Sequence, residues 1–144
     1  MKLTEIIKAL NENLSKEYGA VLLYIELRKL PLMARNAGKS ALISGLAEDE
    51  MRHAEMLADQ IANLGGKSTW RITPFERKST VKDTLKQIIE SEEQAIRDYT
   101  ELIDRLSGQP TLREIVMSIL EDEKRHKGRT ENLLKSVSRR KTKP

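Results

Sequence analysis

The sequence predicts an all-α fold, a four-helix bundle in which a long crossover joins the second and third helices. Three observations carry this. Four segments of helical length place apolar residues at alternating spacings of three and four, and only three regions interrupt that period. One of those regions, Lys67 to about Lys78, is too long for a hairpin between neighbouring antiparallel helices and suits a connection spanning the bundle. No strand pattern is found. At 144 residues the chain suits one domain with a substantial core, placed at 1–137, followed by a basic, flexible tail at 138–144.

The first helix carries Leu3, Ile7, Leu10, Leu14, Glu17, Val21 and Tyr24 on one seam, with Thr4 as its expected cap. Pro31 should kink or end it, and Gly38 marks the break before the second helix. That helix continues the period through Ile43, Leu46, Glu50, His53, Leu57, Ile61 and Leu64, then stops at Gly65-Gly66. Trp70, in the crossover, is the residue placed to pin it to the bundle. Thr80 with Asp83 forms a capping-box signal for the third helix, whose stripe is Val81, Leu85, Ile88, Glu92, Ile96, Tyr99, Ile103 and Leu106. Gly108 and Pro110 punctuate the last turn, and the fourth helix follows through Leu112, Val116, Ile119, Glu123, His126, Thr130, Leu133 and Val137.

Composition narrows the chemistry. Zero cysteines exclude disulfides and thiolate metal sites, so a metal here would need oxygen and nitrogen ligands, as iron or manganese accept. No run approaches the roughly 18 apolar residues of a membrane span, and the chain opens on an amphipathic pattern, so a soluble cytoplasmic protein is expected. The net charge of +4 is misleading. Lys135, Arg139, Arg140, Lys141 and Lys143 crowd into the last ten residues, and the 26 Lys and Arg less these five leave 21 against 22 acids. The domain itself is not basic, and with few aromatics to stack on bases it is not expected to bind nucleic acid.

The decisive signal is a phrase that occurs twice. Glu48-Asp49-Glu50-Met51-Arg52-His53 returns as Glu121-Asp122-Glu123-Lys124-Arg125-His126, and these are the two histidines of the chain. On a helix, a Glu three residues before a His shares its face. A lone Glu-x-x-His is usually a salt-bridging surface. Here both copies fall on the apolar seam, together with Glu17 and Glu92, which themselves repeat: each is followed by Ala at three and Tyr at seven, Ala20 and Tyr24 in one case, Ala95 and Tyr99 in the other. Glu90 and Glu93 compete with Glu92, but the repeat and the stripe both select Glu92. Burying four unpaired carboxylates costs several kcal/mol each. Two divalent cations would neutralise them beside two neutral imidazoles.

A Glu from each of two helices with Glu-x-x-His from each of the other two resembles the ferritin-like di-iron carboxylate superfamily over residues 3 to 137. Within it the chain is most similar to bacterioferritins and erythrins. Rubrerythrins carry a further Glu where this chain has Ala95, and a Cys-rich module that it lacks. The resemblance implies a ferritin-like four-helix bundle holding two iron ions, or manganese in their place. Glu50 and Glu123 would bridge them, Glu17 and Glu92 would each serve one, and His53 and His126 would complete one each. Tyr24 and Tyr99 stand equally well as hydrogen-bond partners of the ligating carboxylates or as core aromatics. Glu48, Asp49, Arg52 and their repeats are read as solvated or supporting flanks. Met51 matches the Met with which bacterioferritins ligate haem across a twofold subunit interface, but a helical Met is far more often packing, so haem stays outside the site.

The implied activity is oxidation of Fe(II) by O2 or H2O2 in a homo-oligomer, a dimer at least, with storage if a cage forms. The short fifth helix usual in large cages has no counterpart after Val137. A rubrerythrin-like peroxidase, or another di-iron or dimanganese oxidoreductase, is the alternative. A DNA-protecting assembly using the Arg139–Lys143 tail ranks third.

Overall fold

The computed structural model describes residues 1–141, the side chains of 140 and 141 excepted. Five helices follow in order: α1 (Leu3–Lys29), α2 (Pro31–Ala34), α3 (Ala37–Asn63), α4 (Val81–Asp104) and α5 (Pro110–Lys141). The four long ones are the expected bundle, and no strand occurs among the described residues. Pro31 does end the first helix. It forces Leu30 into an extended conformation (φ −67°, ψ 137°) and then opens α2 from its first position, where a missing N–H costs nothing.

Two expected punctuation marks fall elsewhere. Thr4 lies inside the first turn of α1 rather than capping it; the Lys2 N–H donates instead to the Glu5 carboxylate, at 3.4 Å. Gly38 sits in the first turn of α3, and the break before it is made by Asn36, whose side-chain oxygen accepts from the Lys39 N–H at 2.9 Å. The remaining signals hold. Gly65 takes φ 82° just beyond α3, and Thr80 caps α4 by accepting from the Asp83 N–H at 3.1 Å. Beyond Val137, α5 continues to Lys141 into the basic stretch; residues 142–144 of that stretch, with the side chains of Arg140 and Lys141, lie outside the described residues.

The core divides into two clusters, and their membership gives the topology. One joins Leu10 and Leu14 of α1, Leu57 and Ile61 of α3, Leu102 and Ile103 of α4, and Leu112 and Val116 of α5. The other joins Leu23 and Leu27, Ile43 and Leu46, Val81 and Leu85, and Leu133 and Val137. The starts of α3 and α4 thus meet the ends of α1 and α5. So α3 and α4 run parallel, as the long crossover requires, and α1 and α5 run opposite to them.

Residues 65–80 form that crossover along α1. Asn11 grips it through the Lys67 carbonyl and the Thr69 N–H, at 3.0 and 2.8 Å. The Thr73 N–H donates to the Ser15 carbonyl at 3.0 Å, and their hydroxyls meet at 2.9 Å. Trp70 does not pin the crossover. It is 92% exposed, and the polar groups of Asn11 and Ser15 do the anchoring because extended backbone running beside a helix needs hydrogen-bond partners more than apolar contact.

Gly19 is the tightest point of this contact, because a Cβ there would stand 2.7 Å from the Thr73 carbonyl oxygen. Gly19→Ala should therefore destabilise the protein by ~1–3 kcal/mol although it adds a better helix former. Gly45→Ala and Gly128→Ala, with nothing within 4 Å of the new methyl, should each stabilise it by ~0.5–1 kcal/mol. Chemical denaturation of the three variants checks this; equal effects at all three would contradict the close approach.

Candidate metal centre

Glu17, Glu50, His53, Glu92, Glu123 and His126 are each at most 4% exposed, which the seam positions require. α1 contributes Glu17, α3 Glu50 and His53, α4 Glu92, and α5 Glu123 and His126. They occupy the stretch of each helix between the residues of the two apolar clusters. No Lys or Arg is among the buried side chains described.

Both imidazoles are oriented alike. His53 turns Nδ1 inward, 2.9 Å from Glu123 Oε1, 3.7 Å from Glu17 Oε2 and 3.9 Å from Glu50 Oε1. Its outer Nε2 lies 2.8 Å from Asp122 Oδ2. His126 turns Nδ1 toward Glu50 Oε1 at 2.6 Å, and its Nε2 lies 3.0 Å from Asp49 Oδ2. Each Asp of the duplicated phrase thus holds the His of the other copy. Arg52 ties the braces together, reaching Asp49 at 2.9 Å and Asp122 at 3.5 Å, while Arg125 pairs with Asp122. The Asp contact at Nε2 fixes each ring with Nδ1 as the nitrogen aimed at the interior, the orientation a metal-ligating imidazole requires once that nitrogen is free of its proton.

Glu17 and Glu92 are held in a crossed manner. Tyr99 of α4 donates to Glu17 Oε1 on α1 at 2.6 Å, and Tyr24 of α1 donates to Glu92 Oε2 on α4. Both tyrosines are therefore partners of the carboxylates as well as core residues. Glu92 has a second partner, because the Thr130 hydroxyl donates to its Oε1 at 2.6 Å. Thr130 drew no functional reading from sequence, yet a signal was present: four residues after His53 the repeat carries Leu57, and four after His126 it carries Thr130.

Three buried side-chain atoms among the described residues have no hydrogen-bond partner: Glu17 Oε2, Glu50 Oε1 and His126 Nδ1. Glu50 Oε1 and His126 Nδ1 approach to 2.6 Å without hydrogen-bond geometry. Lone pairs converging without a proton between them suit a shared cation and are costly without one. Glu17, Glu50, His53 and Glu123 each bring one ligand atom within 4.8 Å of all the others. The donor set, carboxylate oxygen and imidazole nitrogen without sulfur, fits iron or manganese.

Without metal, the layer holds its charge down by keeping protons. Burial pushes Glu92 up to about 8, although Thr130 and Tyr24 oppose the shift. Burial and the Glu17 charge push Glu123 up to about 7, and burial followed by Glu17 and Glu123 raises Glu50 well above the usual carboxylate range. Burial would raise Glu17 too, but its contacts with Glu50 and His53 leave it low. Burial lowers His53, but Glu123 and Glu17 outweigh it and carry the imidazole up to about 9. His126 goes the other way, lowered by burial and then by the charge of His53 in spite of Asp49.

An all-helical bundle with one long crossover around a buried layer of four Glu and two His defines a class, the ferritin-like bundles. Residues 7–140 match the Ferritin-like domain family, and the chain belongs to it. Solved structures repeat the fold. A dodecameric thioferritin, the bacterioferritin-related protein of Bacteroides fragilis, superposes with TM-score 0.85 at 24% identity over 98% of this chain and 90% of that one. Mycobacterium tuberculosis bacterioferritin gives 0.87 at 23% identity over 94% and 87%. A ferritin-like diiron-carboxylate protein of Bacillus anthracis gives 0.79 at 24% identity over 93% and 99%. No curated protein matches the sequence.

Glu92 and His53 both bind protons more tightly in the fold than the ordinary side chains do at 4.5 and 6.5. A group whose folded pKa is raised gives stability that is present below the unfolded value and lost as pH rises through the folded one. The metal-free protein should therefore lose thermal stability as pH rises from about 6 to about 9, and Zn(II) should flatten that slope. Melting followed by circular dichroism tests this; a metal-free melting temperature that rises over the interval would contradict it.

Proposed function

We propose that this chain binds two Fe(II) ions per bundle as substrate and oxidises them with O2 or H2O2, a ferroxidase-type activity. The observation that carries the reading is the set of three unpartnered ligand atoms inside a layer that gathers all six residues of the duplicated pattern. Glu50 and Glu123, which face both imidazoles, would lie between the ions. Glu17 with His53 would serve one, and Glu92 with His126 the other. Two Fe(II) supply two electrons, which with two protons reduce H2O2 to two waters. Asp49 and Asp122 keep the imidazoles aimed inward, and the protons held on Glu92, Glu123 and His53 leave as cations enter.

A cavity of about 300 Å³ supports access. It opens between α1 and α4 beneath Thr73, Pro74 and Phe75 and reaches Glu17, Glu50, Glu92 and Glu123. Ala20 and Ala95 line it, the small residues of the repeated Glu-to-Tyr register. Where a rubrerythrin-like peroxidase would carry another carboxylate, this chain leaves space, which favours the ferroxidase reading. The dodecameric state of the B. fragilis relative supports a homo-oligomer.

Anaerobic loading should take up about two Fe(II) per chain, measured by metal analysis after gel filtration. Glu50→Ala should slow aerobic iron oxidation more than Asp122→Asn, whose loss should be roughly 10- to 100-fold, the usual effect of a partner behind a metal-ligating His. Glu50→Ala oxidising iron at the normal rate, or fewer than about two metals bound, would sink the reading.

A further inference from the structure

The two halves of the layer are duplicated in sequence but are not equivalent in structure. Glu17 gives Oε1 to Tyr99 and leaves Oε2 without a partner, 3.7 Å from His53 Nδ1. Glu92 gives Oε2 to Tyr24, as the pseudosymmetry demands, but its other oxygen is already taken by Thr130. The oxygen that stands free for a cation in one half is thus occupied in the other. The same asymmetry appears in the ligand atoms, since the group gathered within 4.8 Å includes Glu17 and His53 but neither Glu92 nor His126.

Thr130 is built to let go. Its hydroxyl is fully buried and carries one proton, which the 2.6 Å contact with Glu92 claims. The His126 and Lys127 carbonyl oxygens lie within reach at 3.0 and 3.1 Å. On releasing Glu92 the hydroxyl donates to one of these instead, so no buried donor is left unsatisfied. Leu57, at the corresponding place after His53, offers no such group to the other half.

The geometry points to Thr130 as a latch on Glu92 that makes the two metal positions unequal: a divalent cation fills the Glu17–His53 position first, and the Glu92–His126 position only after Thr130 has released its carboxylate oxygen. This rests on the metal-binding reading above and deepens it. Thr130 touches no metal in this scheme. It is a positioning residue, acting through Glu92.

Titrating the metal-free, full-length chain anaerobically with Co(II), followed by calorimetry and by visible absorption, separates the two positions without any turnover. The wild-type chain should take Co(II) in two resolved steps. Thr130→Val removes the hydroxyl at nearly constant volume, and should tighten the second step about tenfold while leaving the first in place. Thr130→Ser keeps the hydroxyl and should restore the wild-type separation. Two steps unmoved in Thr130→Val, or a change confined to the first step, would overturn the latch and leave the two-metal reading standing. Fewer than about two Co(II) bound by the wild-type chain would overturn the two-metal reading itself.

Discussion

Everything in this bundle is arranged around four carboxylates that share one buried layer with no lysine or arginine among the buried side chains described to neutralise them. At several kcal/mol for each unpaired buried charge, such a layer would consume the ~5–15 kcal/mol that holds a domain of this size together. The structure meets the problem in two ways. Protons stay on Glu50, Glu92 and Glu123 far above their usual range, and the His53 imidazole is charged among the carboxylates. Hydroxyls from Tyr99 and Tyr24 then satisfy one oxygen each of Glu17 and Glu92, and Thr130 takes the second oxygen of Glu92. What remains unsatisfied points inward, toward the place where cations would stand.

The apolar architecture follows from the need to hold that layer. One cluster packs the bundle on one side of it and the second on the other, so each helix is apolar, then polar for about two turns, then apolar again. The long crossover is what brings α3 and α4 parallel, and it sets the crossed pairing of Tyr99 with Glu17 and Tyr24 with Glu92 across the α1 and α4 faces. Its close seating on Gly19 places Thr73, Pro74 and Phe75 above the cavity that reaches the carboxylates. A mutation in the crossover is therefore also a change at the mouth of the site.

Periodicity exposed the long helices because a seam of apolar residues is a property of spacing alone. It exposed the six buried polar residues for the same reason: Glu92 was separable from Glu90 and Glu93 only by its register on the stripe and its repeat relation to Glu17. Features that depend on which neighbour is nearest were less legible. Thr4 had the right side chain for a cap, but the helix starts at Leu3, two residues earlier than that cap implies, and Glu5 reaches back to Lys2. Trp70 had the largest apolar surface in the crossover, yet backbone hydrogen bonding decided how that segment sits, and the indole was left in solvent. Thr130 stood on the seam among expected core positions. Its role emerges only when Glu92 on α4, 38 residues away, is seen to present it an oxygen.

Proton storage in the layer also bears on the order of folding and metal binding. A small metal domain whose ligands cannot be buried without their ion folds only when the ion arrives. Here the two apolar clusters enclose the layer from both ends, and protons together with tyrosine and threonine hydroxyls make it tolerable without metal. On this ground folding need not wait for a cation. A cation would instead exchange for protons inside a bundle already formed, with the brace of Asp49, Asp122 and Arg52 keeping both imidazoles aimed. Glu92, carrying both Tyr24 and Thr130, is the carboxylate with the most to give up, so such an exchange would be hardest in the half where the duplicated sequence departs from its own repeat.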